Sequence, residues 1–322
     1  MRAFAALLTL GLAIGCVQDP GPAYKPGDPF CTSSAAITTE EQFGWTLPDK
    51  TLALTFDDGP GDRTTELSTF LRDQGILGTF FVNGQWVTGD FEFQAHVLDE
   101  LANDGHLLAN HSTTHRALTE LVAEDIVAEV EQTDDLIMKY TPPEKLFFRP
   151  PFGSWNAEVA KALKGSPMGK YVGPVHWDIG DQLTAKTAAD WDCWDDEGNG
   201  KKTVAECAAL YMREIHDKGR GIVLLHDGPP GSLNGTVVDM LKVMVPLLKL
   251  EGYEFVRLDE VSLRSRPPPP LNGNQNGGGP NLDPGAQPEP IDPCRGRTPK
   301  QTVRASFVDP ASYACGGAHA HH

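Results

Sequence analysis

The sequence is short of positive charge and lacks the cysteine spacing of a zinc ribbon. Its 27 lysines and arginines stand against 44 aspartates and glutamates, which gives a net charge of −17. Nucleic-acid-binding surfaces need clustered lysine and arginine, so this balance argues against nucleic acid as a partner and leaves a neutral polymer open. None of the six cysteines belongs to a C-x-x-C pair, which argues against a thiolate zinc site.

The apolar run at the N-terminus is too short for a mature membrane span. It covers residues 3–15 and follows Arg2, a pattern typical of a secretory signal peptide. The stretch Ala13-Ile14-Gly15-Cys16 is similar to a bacterial lipobox, with Ala13 in place of the usual leucine. We therefore expect an exported protein of the periplasm or cell envelope, with a lipid on Cys16. Plain secretion is the alternative.

Export permits disulfide bonds. Cys193 and Cys207 flank a polar stretch and are predicted to close it, and Cys294 is predicted to close a C-terminal loop with Cys315. Cys31 has no partner if Cys16 carries the lipid, and otherwise those two can pair. The sequence alone leaves the connectivity open.

Composition divides the chain into one compact domain and several flanking segments. Residues 1–16 are the signal segment, and residues 17–48, rich in Pro, Gly, Ser and Thr, are predicted to be a tether. Residues 49–265 form the compact domain. Residues 266–290 are a Pro/Gly-rich linker, and residues 291–322 are a small segment with two cysteines.

Within the compact domain, short apolar strands alternate with amphipathic helices. This alternation predicts a parallel sheet with helices outside it, and about seven such units favour a distorted (β/α) barrel of the TIM-barrel type. The predicted strands are residues 52–56, 79–82, 106–109, 145–148, 171–177, 222–226 and 254–257. The predicted helices are residues 64–74, 93–103, 121–139, 156–164, 204–218 and 237–248, and Pro246 is expected to kink or end the last of them.

Polar and ionisable residues follow five of these strands. They stand in the segments TFDDGP (55–60), NHSTTH (110–115), RPPFG (149–153), HWDIGD (176–181) and LLHDG (224–228). In a barrel the carboxyl ends of the strands meet at one mouth, so these segments are expected to share a site.

Each segment alone has an ordinary structural explanation. The Asp57-Asp58 pair can cap a helix, and two histidines four residues apart are more often surface or capping residues. On one helical turn, however, His111 and His115 share a face and can hold one metal ion. A carboxylate from another strand completes a three-ligand site that suits zinc and other divalent first-row ions.

The order of the segments resembles that of the polysaccharide deacetylases with NodB homology, carbohydrate esterase family 4. TFDDGP looks like the first motif of that family, HSTTH the second, RPPFG the third and LLH the fifth, and the resemblance spans about residues 50–259. It implies that Asp58, His111 and His115 are metal ligands for Zn²⁺ or another divalent ion such as Co²⁺.

The resemblance also implies catalytic roles. Asp57 looks like the general base, Arg149 the residue that orients it, and His226 the general acid. Leu224 resembles the apolar residue that lines the acetyl pocket. The backbone N–H of Phe152 matches an oxyanion donor at a position where tyrosine is commoner.

The fourth motif departs from the family pattern, because its Asp-Trp pair comes late, after an insertion. We favour Asp190 as the partner of His226, with Asp178 and Asp181 as alternatives. Trp191 is the first candidate for a wall of the sugar cleft, ahead of Trp86 and Trp155.

The function implied is removal of N-acetyl groups from a hexosamine polymer, with release of acetate. Peptidoglycan is the first expected substrate, chitin the second and acetyl-xylan, an ester at the same site, the third. A glycan-binding lipoprotein with an inactive site is the alternative from another class. We expect a monomer that contacts the membrane only through Cys16.

Overall fold

The structure is a computed structural model that describes residues 37–89, 91–194, 201–228 and 236–266. The predicted signal segment, Cys16, Cys31, the linker beyond residue 266 and the Cys294–Cys315 pair lie outside the described residues. No helix within the described ranges is both long and apolar enough to cross a membrane. The predicted bond between Cys193 and Cys207 is formed.

A parallel sheet forms the centre of the compact domain. Its central strand β1 is buried at every position, as expected for a strand with helices packed on the sheet. The strands pair in the order β3-β2-β1-β4. Strand β5 pairs with the first residues of β1, on the same edge of β1 that pairs with β2 nearer its carboxyl end. The strands are β1 (Thr51–Asp57), β2 (Thr79–Val82), β3 (Leu107–Asn110), β4 (Gly221–His226) and β5 (Glu254–Phe255).

Two of the predicted strands are reduced to isolated parallel bridges. Within residues 145–148, Phe148 pairs with Asn110. Within residues 171–177, Val172 pairs with Phe147. A further bridge joins Ile179 to Val223 of β4. These bridges extend the parallel order from β3 towards β4, which gives the predicted barrel in distorted form. Pro150 and Pro174 explain the reduction, because proline has no N–H for a sheet ladder.

Eight helices cover the sheet within the described residues, and the six predicted ones are among them. Two short helices, α2 and α6, escaped prediction because neither reaches two turns. Pro246 does not end α8, since that helix continues to Leu250. The helices are α1 (Thr64–Asp73), α2 (Gly84–Gly89), α3 (Phe91–Asn103), α4 (Ala123–Ile137), α5 (Ala157–Lys164), α6 (Asp190–Cys193), α7 (Val204–Lys218) and α8 (Thr236–Leu250).

The compact domain begins earlier than its predicted boundary near residue 49. Ile37, Phe43 and Leu47 are buried, and the backbone of Phe43 pairs with Arg264 in an antiparallel bridge. Residues 37–48 therefore pack on the domain and are not part of a free tether. Their apolar side chains are too widely spaced among polar residues to form a recognisable periodic pattern.

Candidate metal centre and catalytic site

The carboxyl end of β1 separates two neighbouring carboxylates. Asp57 is the last residue of the strand and is buried, with Oδ1 accepting a hydrogen bond from Arg149 Nη1 at 2.6 Å. Asp58 has left the strand and has a positive φ of 69°. The turn directs the Asp58 carboxylate towards two histidines, whereas the Asp57 carboxylate contacts Arg149.

Asp58, His111 and His115 form a cluster that fits a metal ion. Their ligand atoms all lie within 4.8 Å of one another. Oδ1 of Asp58 is 3.4 Å from Nε2 of His111 and 3.0 Å from Nε2 of His115, yet this buried oxygen makes no hydrogen bond within the described residues. Nδ1 of His111 donates to the carbonyl oxygen of Arg149 at 2.8 Å, which leaves Nε2 as the ligand atom of the neutral ring.

The charges of this cluster depend on one another. Burial opposes ionisation of Asp58, but the charge of His115 and the contacts with both histidines hold the pKa of Asp58 well below its ordinary value. Burial likewise lowers the pKa of His111, and the charges of Asp57 and Asp58 more than offset it, so the net pKa is raised. A metal ion binds the neutral form of a histidine ring, so protons compete with the ion and metal affinity is expected to fall in acid.

Two buried side chains hold the loop that carries the two histidines. Asn110 accepts from the N–H of Ser112 at 2.9 Å. Glu129 of α4 accepts from the N–H of Thr113 at 3.0 Å and of Thr114 at 2.7 Å. No sequence motif singles out Glu129, but its place between the buried residues Ile126 and Val130 of an amphipathic helix indicates a buried carboxylate.

Arg149 is fully buried and fixed on several sides. Besides Asp57, its guanidinium donates to the hydroxyl of Thr55 at 3.0 Å and to the carbonyl oxygen of Val175 at 3.2 Å. Its Cζ lies 4.2 Å from the centroid of the Phe81 ring. This arrangement fixes one oxygen of Asp57 and leaves the other, Oδ2, 3.6 Å from Nε2 of His111.

His226 stands beside Asp57 across the sheet. The two residues are register partners of the parallel pair β1 and β4, so their backbones are about 4.8 Å apart. Nδ1 of His226 is 2.8 Å from Oδ1 of Asp190, and the His226 N–H donates to Oδ2 of Asp190 at 2.7 Å. Burial lowers the pKa of His226, but the Asp190 carboxylate more than offsets this and raises the pKa to about 9.

Neither alternative aspartate contacts His226. Asp178 accepts from the backbone N–H groups of Gly44 and Ile222, both at 2.9 Å, and Ile222 lies at the opposite end of β4. Asp181 accepts from the indole N–H of Trp177 at 3.0 Å. The geometry therefore favours Asp190 among the three candidates.

The remaining predicted site residues differ in exposure. The ring of Phe152 is 69% exposed and its centroid lies 4.5 Å from that of His115. Trp191 is 45% exposed and follows Asp190 directly, whereas Leu224 of β4 is buried. Trp155 donates to the carbonyl oxygen of Thr38 and packs on an apolar cluster, so the structure favours Trp191 over Trp155 as a wall of the cleft.

Backbone strain concentrates at this mouth of the sheet. Of the non-glycine residues with positive φ in the described ranges, four belong to the site, namely Asp58, Ser112, His115 and Phe152. Such conformations cost energy and cluster at functional sites. Gly228 is equally constrained, because a Cβ there would lie 1.9 Å from the carbonyl oxygen of Asp58.

Comparisons with known proteins agree with this geometry. The family model described as "Polysaccharide deacetylase" matches residues 45–168. The chain is 29% identical over 229 residues to a chitooligosaccharide deacetylase of Rhizobium leguminosarum bv. trifolii, which covers 68% of this chain and 91% of the relative. It is 27% identical over 214 residues to the peptidoglycan-N-acetylmuramic acid deacetylase PdaC of Bacillus subtilis, covering 66% of this chain but 38% of that protein.

Solved structures give the same result. The structure of Bacillus subtilis PdaA, a family 4 carbohydrate esterase, superposes with a TM-score of 0.51 at 25% identity and covers 71% of this chain and 85% of that one. The chain is therefore similar to the polysaccharide deacetylases of the carbohydrate esterases, and residues 45–168 match the model of that family.

Proposed function

We propose that this protein is a metal-dependent hydrolase that removes N-acetyl groups from a hexosamine polymer and releases acetate. One observation carries the proposal. A metal-fitting cluster lies beside a carboxylate outside that cluster, Asp57, and the register partner of Asp57 on the neighbouring strand is His226, a histidine paired with its own carboxylate. A hydrolase of an unreactive amide needs a base for water and an acid for the leaving amine.

The metal proposed is zinc, because two histidines and one carboxylate suit zinc and leave positions open for water and substrate. Asp58, His111 and His115 would hold it. When bound, such an ion lowers the pKa of water and polarises a carbonyl oxygen. The same donors also suit other divalent first-row ions such as Co²⁺.

The protein groups divide the proton transfers between them. Asp57, fixed through Oδ1 by Arg149, takes the proton of the attacking water on Oδ2. As the new C–O bond forms and the C–N bond breaks, His226 gives its proton to the leaving amine, and Asp190 stabilises the charged ring before that step. The backbone N–H of Phe152 is proposed to donate to the oxyanion, a preorganised contact of the kind that is typically worth several kcal/mol.

The proposed substrate is peptidoglycan, with chitin-type oligomers second. Support comes from the relatives, which are named as peptidoglycan and chitooligosaccharide deacetylases, and from the signal-like N-terminus with its lipobox-like Cys16. That N-terminus is also the basis for proposing export to the cell envelope with a lipid anchor. The net charge of −17 does not oppose a neutral glycan.

Acetate release from a panel of substrates tests the proposal. Purified protein is incubated with peptidoglycan, N-acetylated chitooligosaccharides and acetyl-xylan, each with and without chelator. We expect acetate from the amino-sugar polymers, lost on chelation and regained with zinc. Release from acetyl-xylan alone would establish the esterase alternative, and binding to glycan without acetate under any metal condition would favour an inactive glycan-binding protein.

A further inference from the structure

Asp190 of the fourth motif lies in an insertion. The contacts that hold this part of the insertion in place come from a helix further along the chain. Asp190 and the following turn lie in α6, which has four residues. So short a helix is not stable by itself. Its buried residues Asp190 and Cys193 therefore need tertiary contacts to hold their positions.

One face of α7 supplies those contacts. Cys207, Tyr211 and Glu214 follow one another at helical spacing and are all buried. Cys207 is bonded to Cys193. Glu214 Oε2 accepts from the N–H of Ala188 at 2.9 Å, two residues before Asp190.

Tyr211 stands in the middle of this face and joins α6 to β4. Its hydroxyl oxygen accepts from the N–H of Asp190 at 3.0 Å. The same hydroxyl donates to the carbonyl oxygen of Leu224 at 3.0 Å. Leu224 lies two residues before His226 on β4, so a single hydroxyl links the backbone of Asp190 to the strand that carries its partner.

We propose that Tyr211 is a positioning residue that keeps Asp190 within hydrogen-bonding distance of His226. Tyr211 lies on a buried face of α7 together with Cys207 and Glu214. This inference rests on the proposed function for its catalytic meaning. The geometric part is independent of turnover, because it concerns the distance between two side chains. The charged groups that face the His226 ring are Asp190 from α6 and Asp57 and Asp58 from the end of β1.

The substitution Tyr211→Phe tests the proposal, because it removes the hydroxyl and keeps the ring that fills the core. Two measurements are made on the zinc-loaded protein. The first is the pKa of His226, by NMR titration of labelled histidines, with the His226 signal assigned from the variant His226→Gln. The second is kcat and KM on an N-acetylated chitooligosaccharide. We expect the pKa of His226 to move down from about 9 towards its ordinary value. We expect kcat to fall about tenfold with KM changed less than about twofold.

Tyr253→Phe is the matched control. Its hydroxyl also bonds a carbonyl of α7, that of Ile215 at 3.4 Å, and it does not contact Asp190. It should leave both quantities as in the wild type. The double variant Cys193→Ser/Cys207→Ser should shift both in the same direction as Tyr211→Phe.

An unchanged pKa of His226 in Tyr211→Phe would overturn the proposal, whatever happens to kcat. A fall in kcat that the Tyr253→Phe control shares would overturn it as well, because the effect would then be a general loss of stability. If Tyr211→Phe shifts the pKa of His226 but the wild-type protein has no deacetylase activity, the positioning role is supported and the proposed function is contradicted. The two failures are therefore distinguishable.

Discussion

At the scale of single residues, the site depends on how two adjacent aspartates differ. Both are charged, but Asp57 contacts Arg149 whereas Asp58 faces the two histidines. A helix cap was the simplest explanation of the pair on its own. The structure places the two carboxylates in different surroundings, so each can be tested by an amide substitution that preserves its shape.

Asp57→Asn should strongly reduce turnover while metal stays bound. The amide cannot accept the proton of water, so kcat should fall by about 10²-fold or more. Its oxygen can still accept the hydrogen bond from Arg149. Asp58→Asn should instead lose zinc, because a neutral amide is a poorer ligand than a carboxylate.

Zinc content by mass spectrometry and acetate release, measured on the same samples, separate these outcomes. If Asp57→Asn lost zinc and Asp58→Asn kept it, the two roles would be reversed.

The Asp190–His226 pair should set the alkaline limb of the pH–rate profile. His226 acts as an acid, so activity needs its protonated form and falls as pH rises through its pKa of about 9. Asp190→Asn removes the carboxylate that raises this pKa, and the limb should therefore move to lower pH, towards about 6.5. The measurement is kcat against pH.

Asp181→Asn is the control for this prediction, because Asp181 bonds Trp177 and does not contact His226. Its profile should match the wild type. A limb that moves with Asp181→Asn and not with Asp190→Asn would show that the wrong aspartate has been assigned.

At the scale of secondary-structure elements, the loop between β3 and α4 positions the two histidines of the candidate metal site. Glu129 holds two consecutive N–H groups between the histidine ligands and also accepts from the Thr114 hydroxyl. Glu129→Gln leaves a single acceptor oxygen, so we expect zinc affinity to weaken by about 10- to 100-fold, as is typical when a ligand loses its support.

Competition with a chromophoric chelator measures this affinity directly. Glu131→Gln, on the exposed side of the same helix, should bind zinc as the wild type does. A variant at Glu129 that melts at lower temperature but binds zinc with unchanged affinity would contradict the positioning role.

Sequence patterns predicted the strands with apolar runs and the helices with regular apolar spacing. They missed the elements that are stabilised by contacts with other parts of the chain. Strands β1, β2 and β4 have apolar runs that fix their type, and the long helices have clear periodicity. The bridges near Phe148 and Val172 fell short of strands because prolines interrupt them. The short helix α6 has no local signal, since a disulfide and Tyr211 stabilise it from another part of the chain.

At the scale of the whole molecule, the topology explains why local motifs predicted so much of the site. Parallel strands bring their carboxyl ends to one edge of the sheet, so segments separated by up to about 170 residues in sequence meet there. The candidate metal ligands, base and acid all follow strand ends, which makes them recognisable in the sequence. Asp190 was only one of three candidates, because an insertion separates it from the nearest strand and only the folded chain shows which carboxylate reaches His226.

The central claim is that one metal ion held by Asp58, His111 and His115 is required for deacetylation. Metal-stripped protein titrated with zinc, with acetate release from an N-acetylated chitooligosaccharide measured at each point, tests it most directly. We predict no activity without metal, a rise that ends at about one equivalent of zinc, and no rise in Asp58→Asn over the same range. Equal activity in stripped and zinc-loaded protein, or full recovery in Asp58→Asn, would contradict it.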